Sequence, residues 1–69
     1  MPIIQINLME GRTPEQKRSV ASAITEAVTR SLGVKAESVR ILIHEIGPDE
    51  FFVGGQTMAQ RDRSKTELA

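Results

Sequence analysis

Two apolar runs separated by one long helix constrain the fold of this chain more than any other feature. Residues 3–8 and 39–46 are rich in Ile, Leu and Val, which favour extended backbone. Strands that are joined through a helix pair in parallel, and their crossover is right-handed. The sequence therefore predicts an α/β fold built on one β-α-β unit. The nearly continuous apolar character of the runs predicts strands covered on both faces.

Strong end signals delimit the helix. Thr13 is a typical N-cap residue, Pro14 suits the first helical position, and Gln16 completes a capping box. Gly33 is suited to the left-handed residue that follows many helices. An apolar stripe at helical spacing is predicted to face the sheet, and its members are Val20, Ile24, Ala27, Val28 and Leu32.

The length of the chain predicts self-association. A domain of 69 residues buries only about 60% of its unfolded surface, so it needs additional stabilisation. The chain has no cysteine, and its one histidine, His44, has no cluster of metal ligands around it. We therefore expect no disulfide, metal or cofactor, and we expect the unit to pair with copies of itself.

Composition excludes two classes of partner. Nine basic and nine acidic residues leave no net charge, which argues against binding driven by nucleic-acid phosphates. No apolar run approaches the roughly 20 residues of a membrane span, and the start of the chain lacks the pattern of a secretion signal. We expect a cytoplasmic protein that binds neither nucleic acid nor membrane.

The remainder of the chain predicts a hairpin and a polar tail. Residues 47–49 favour a turn, and Phe51 begins a short apolar run that ends at two glycines. Composition becomes polar from Gln56 onward, which predicts a wrapping arm or disorder. We expect one domain over residues 1–69, with a core over 2–56 and a polar arm over 57–69.

Pro2 is the most unusual candidate group. Removal of Met1 would leave a secondary amine at the start of an ordered strand. An unperturbed α-amine has a pKa of about 7.7–8.0, and burial or nearby cations would lower that pKa and favour the neutral base. The alternative is that proline at this position means only that Met1 is trimmed.

Three further side chains have two interpretations each. Arg40, within an apolar strand, either pairs with Glu45 or Glu10 across a subunit interface or binds an anionic substrate. Arg12 is either an exposed loop cation or a second clamp on substrate carboxylates. Phe51 is either a core aromatic or a pocket residue.

These residues together resemble the tautomerase superfamily, specifically the 4-oxalocrotonate tautomerase group. The resemblance covers about residues 2–56 and implies subunits that pair into four-stranded sheets, with three dimers forming a hexamer. The segments that carry it are Pro2-Ile3-Ile4-Gln5-Ile6, Glu10-Gly11-Arg12, Glu15-Gln16-Lys17, Ser38-Val39-Arg40 with Glu45, Phe51, and Gly54-Gly55.

The resemblance also implies residue roles and an activity. Pro2 would be the general base, Arg12 would grip a distal carboxylate, Arg40 would come from a neighbouring subunit, and Phe51 would be the pocket aromatic. The implied activity is keto-enol tautomerisation of a small anionic enol or 2-oxo acid such as 2-hydroxymuconate. The alternatives are a non-catalytic interaction module and a subunit of a mixed hexamer.

The chain also departs from the group's pattern. Phe52 stands where a typical member has glycine, and Asp49 and Glu50 add negative charge beside the aromatic. Met9 and Val53 occupy the places of the added Arg and Glu of the dehalogenase and hydratase relatives. We therefore expect no hydrolytic dehalogenation, and the physiological substrate stays open.

Overall fold

A computed structural model describes residues 1–61 and confirms the predicted β-α-β unit. Strands β1 and β2 pair in parallel, and residues 58–61 are helical. Within the described residues, no helix is both long and apolar enough to cross a membrane. The elements are β1 (Ile3–Met9), α1 (Pro14–Leu32), a 3-10 turn (Ala36–Ser38), β2 (Arg40–Ile46), β3 (Phe52–Val53) and β4 (Gln56–Thr57).

Local hydrogen bonds set both ends of α1, as the sequence predicts. The Gln16 backbone N–H donates to Thr13 Oγ1 at 3.1 Å, and the Thr13 N–H donates to Gln16 Oε1 at 3.0 Å. At the other end, Gly33 has a φ of 68°, and its N–H donates to the Thr29 carbonyl at 2.9 Å. A left-handed residue of this kind ends the helix at little cost only when it is glycine.

The N-cap makes a prediction about stability. Thr13→Ala should lower the free energy of unfolding by about 1 kcal/mol, because it leaves the Gln16 N–H without its capping oxygen. Urea unfolding followed by circular dichroism at one fixed protein concentration measures this change. Thr13→Ser keeps the hydroxyl and serves as the control. Equal midpoints for the two variants would mean that the cap contributes nothing to stability.

One face of the sheet is covered and the other is open. The half-buried side chains alternate along both strands on the face toward α1, and they are Ile4, Ile6, Leu8, Ile41 and Ile43. On the other face, Ile3 is 66% exposed and Leu42 is 55% exposed. None of the described residues is fully buried. Within one chain the single long helix covers one face only, so covering of both faces depends on another copy and stays a prediction.

The apolar stripe of α1 is only partly covered. Ile24 and Val28 are half-buried as predicted, whereas Val20, Ala27 and Leu32 are exposed. A helix of 19 residues is about 28 Å long, whereas a strand of seven residues spans about 20 Å. This difference in length accounts for the exposure of Leu32 in the last turn. Val20 and Ala27 lie earlier in α1 and are left exposed by the two strands of one chain.

The start of the predicted polar arm has regular secondary structure. Gly54 and Gly55, with φ values of 61° and 81°, turn β3 into β4. Thr57 and Gln60 then form a second capping box, with the Gln60 N–H donating to Thr57 Oγ1 at 3.2 Å and the Thr57 N–H to Gln60 Oε1 at 2.8 Å. The predicted polar arm therefore begins with strand and helical residues, while residues 62–69 lie outside the described part of the chain.

Candidate active site

Pro2 and Arg40 lie side by side at the amino-terminal edge of the sheet. Arg40 is the first residue of β2, and its backbone N–H donates to the Pro2 carbonyl at 2.9 Å. Pro2 is half-buried, whereas Met1 is 79% exposed. Parallel strands begin at the same edge of a sheet, so this register brings together the two residues that the sequence singled out for catalysis.

The Arg40 guanidinium stays accessible at this edge. Its Nη1 donates to the Glu37 carbonyl, and it forms no ion pair among residues 1–61. Glu45, one of its two suggested partners, instead pairs with Lys17 of α1. Arg40 is the first residue of β2. Its remaining side-chain N–H groups bond to no acceptor within residues 1–61, which leaves them available to an anion.

Arg12 and Phe51 lie at the opposite edge of the sheet. Arg12 follows the end of β1 at Met9, and Phe51 follows the end of β2 at Ile46. Arg12 is exposed, and Phe51 is 39% exposed. Because a strand of seven residues spans about 20 Å, one chain separates this pair from Pro2 by about the length of the sheet.

A cavity of about 580 Å³ lies at the edge where β1 and β2 end, and neither Arg12 nor Phe51 is among its lining residues. No group of three or more metal-ligating side chains there, or elsewhere in residues 1–61, is arranged to hold a metal ion. Sequence reasoning singled out Glu50 for its charge, and Glu10 and Glu45 only as possible partners of Arg40. It missed Asn7, although the parallel register that sets Asn7 opposite His44 was a usable signal. The lining residues are Asn7, Glu10, His44, Glu45, Ile46, Gly47 and Glu50.

A family model described as tautomerase enzyme matches residues 2–61. This match spans most of the chain and includes both edges of the sheet. The chain belongs to the tautomerase family. It is a tautomerase, and it has the small β-α-β fold of the family.

Characterised relatives agree with this assignment. A 2-hydroxymuconate tautomerase of Pseudomonas putida is 43% identical over 56 residues, which are 81% of this tautomerase and 89% of the relative. A 4-oxalocrotonate tautomerase isozyme structure from Methylibium petroleiphilum is 59% identical, with a TM-score of 0.85, and the match covers 91% of this chain and 98% of that one. A heterohexamer 4-oxalocrotonate tautomerase structure from Chloroflexus aurantiacus J-10-fl is 37% identical, with a TM-score of 0.80 and coverage of 87% and 97%.

Proposed function

We propose that this tautomerase converts the enol of a small 2-oxo acid, such as 2-hydroxymuconate, into its keto form. The amine of Pro2, freed by removal of Met1, is the general base. The observation that carries the proposal is the 2.9 Å backbone hydrogen bond that joins Pro2 and Arg40 of one chain. The family resemblance implies instead that a neighbouring subunit supplies Arg40, and that assignment stays a prediction. The relatives named 2-hydroxymuconate tautomerase support the choice of substrate class.

The chemistry requires one base and one cation. The neutral Pro2 amine takes the proton of the enol hydroxyl, and the electron pair of that O–H bond moves into a dienolate. The protonated amine then returns the proton to carbon, which gives the conjugated ketone and restores the base. Negative charge on the 2-oxygen peaks between these steps. The Arg40 guanidinium stabilises it there, an effect that is typically worth about 3–4 kcal/mol per donor.

A complete site needs more than one chain. Arg12 grips a carboxylate of the substrate and Phe51 excludes water, but in one chain both lie about 20 Å from Pro2. A second copy that pairs antiparallel along the free edge of β1 carries its own Arg12 and Phe51 to the neighbourhood of Pro2. Such pairing produces a four-stranded sheet, and three of these dimers form a hexamer.

The open sheet face supports this assembly. Ile3 and Leu42 are more than half exposed, and none of residues 1–61 is fully buried. Covering apolar side chains of this size stabilises an assembly by roughly 1.5–3 kcal/mol for each fully buried one. The heterohexamer of Chloroflexus aurantiacus supports a hexameric assembly, and the choice between identical and mixed subunits stays open.

Activity measured across a dilution series tests the proposal. Untagged protein should convert 2-hydroxymuconate or phenylenolpyruvate, with loss of the enol absorbance. Specific activity should fall on dilution at the concentration where sedimentation shows the oligomer dissociating. A fully active monomer at micromolar concentration would contradict the shared site. An intact oligomer that converts neither enol would favour the non-catalytic interaction module, or a mixed hexamer that lacks its second chain.

A further inference from the structure

We infer that Glu10 and Glu50 set the charge of the substrate, so that this tautomerase favours enols with one carboxylate over dicarboxylates. The two glutamates line the cavity where β1 and β2 end, and Arg12 and Phe51 follow those strands at the same edge of the sheet without lining the cavity. The inference rests on the proposed function, because it concerns the half of the same site that binds the distal end of the substrate.

The two carboxylates converge on one point of the cavity. The Glu50 N–H donates to the Gly47 carbonyl at 3.0 Å, which folds Glu50 back over the turn. The Glu50 carboxylate occupies the space that a side chain on Gly47 would fill, and Glu10 Oε2 lies 3.7 Å from the position of such a Cβ atom. The absence of a side chain at Gly47 therefore makes room for the Glu50 carboxylate, and the Glu10 carboxylate lies close to the same point.

The charge of this edge opposes a second carboxylate on the substrate. Arg12 is the single cation within residues 9–12 and 45–53. The same segments carry the negative charges of Glu10, Asp49 and Glu50. Glu45 lies in the same segment, but its charge is offset by Lys17. Like charges brought together in a partly enclosed site repel one another, and the site discriminates against the ligand that carries the extra charge.

The same edge offers apolar surface to a neutral group. Phe51, Phe52 and Val53 are 39%, 58% and 42% exposed, respectively. An aromatic or aliphatic tail that covers these side chains gains from removing apolar area from water. The favoured substrate therefore has its carboxylate and enol oxygen beside Pro2 and Arg40, and an uncharged apolar tail beside the aromatics.

The test compares kcat/KM for 2-hydroxymuconate, a dicarboxylate, with kcat/KM for phenylenolpyruvate, a monocarboxylate. Glu50→Gln should raise the ratio of dicarboxylate to monocarboxylate by about threefold to tenfold, because it removes a repulsive charge at short range. The gain should shrink as salt is raised, since salt screens exposed charges. Glu10→Gln, which removes the other carboxylate of the pair, should shift the ratio in the same direction.

Glu26→Gln is the matched control. Glu26 carries the same charge on the exposed surface of α1, where its side chain is 76% exposed, so its loss should leave the ratio unchanged. If both enols are converted and Glu50→Gln and Glu10→Gln give the ratio of Glu26→Gln, the inference is overturned while the proposed function stands. If the wild-type protein converts neither enol, the proposed function and the inference both fall.

Discussion

Protein that retains Met1 is expected to have a kcat/KM about 10²–10⁴ lower than trimmed protein, the range typical for loss of a general base. With Met1 attached, the Pro2 nitrogen belongs to an amide whose lone pair is delocalised into the carbonyl. It then has no basic electron pair for the enol proton. An uncleaved N-terminal extension produces the blocked form, and intact mass distinguishes the two preparations before the assay.

Two controls separate loss of the base from loss of structure. Pro2→Ala, also trimmed of Met1, keeps a terminal amine and should retain more activity than the blocked form. In the trimmed protein, kcat/KM should rise with pH as the amine loses its proton. The pKa of that amine is expected below about 7.7–8.0, because burial and the Arg12 and Arg40 cations disfavour its protonated form. Equal activity in blocked and trimmed preparations would refute proline catalysis.

Arg40→Ala should lower kcat by about 10²–10³ and change KM much less. Arg40 begins the strand next to Pro2, and its exposed guanidinium bonds to the Glu37 carbonyl. In the proposed mechanism it acts on charge that is greatest in the transition state, so its removal costs rate rather than substrate affinity. Steady-state kinetics on 2-hydroxymuconate measure both constants. Sedimentation of the variant shows whether the assembly survives loss of the contact to the Glu37 carbonyl.

Variants of Arg12 and Arg30 serve as comparisons for Arg40→Ala. Arg12→Ala should mainly raise KM for the dicarboxylate, because a clamp on a distal carboxylate holds substrate and transition state about equally. Arg30, whose side chain is 74% exposed on α1, carries the same charge away from the site, and Arg30→Ala should leave both constants unchanged. If the Arg40 and Arg12 variants behave like the Arg30 variant, both arginines are structural.

The candidate residues were readable from sequence, but their arrangement was not. Pro2, Arg12, Arg40 and Phe51 stand out by residue type and by their family resemblance. Their separation into two pairs at opposite edges depends on the parallel register of β1 and β2. The convergence of two glutamate carboxylates beside Gly47 depends on how a turn folds back, which no local pattern in the sequence indicated.

The sequence by itself determined the ends of α1 and the parallel pairing of the strands. Thr13 bonds to a residue three positions away, and a helical crossover between strands permits essentially one hand. Tertiary structure alone decided which strand faces are covered in one chain and that Lys17 pairs with Glu45 within it. These outcomes depend on contacts between residues distant in the chain. Pairing of Arg40 with a glutamate across a subunit interface stays a prediction. Composition and spacing report only on residues that are close together along the chain. The single helix covers one face of each strand, and the other face is left for another subunit to cover.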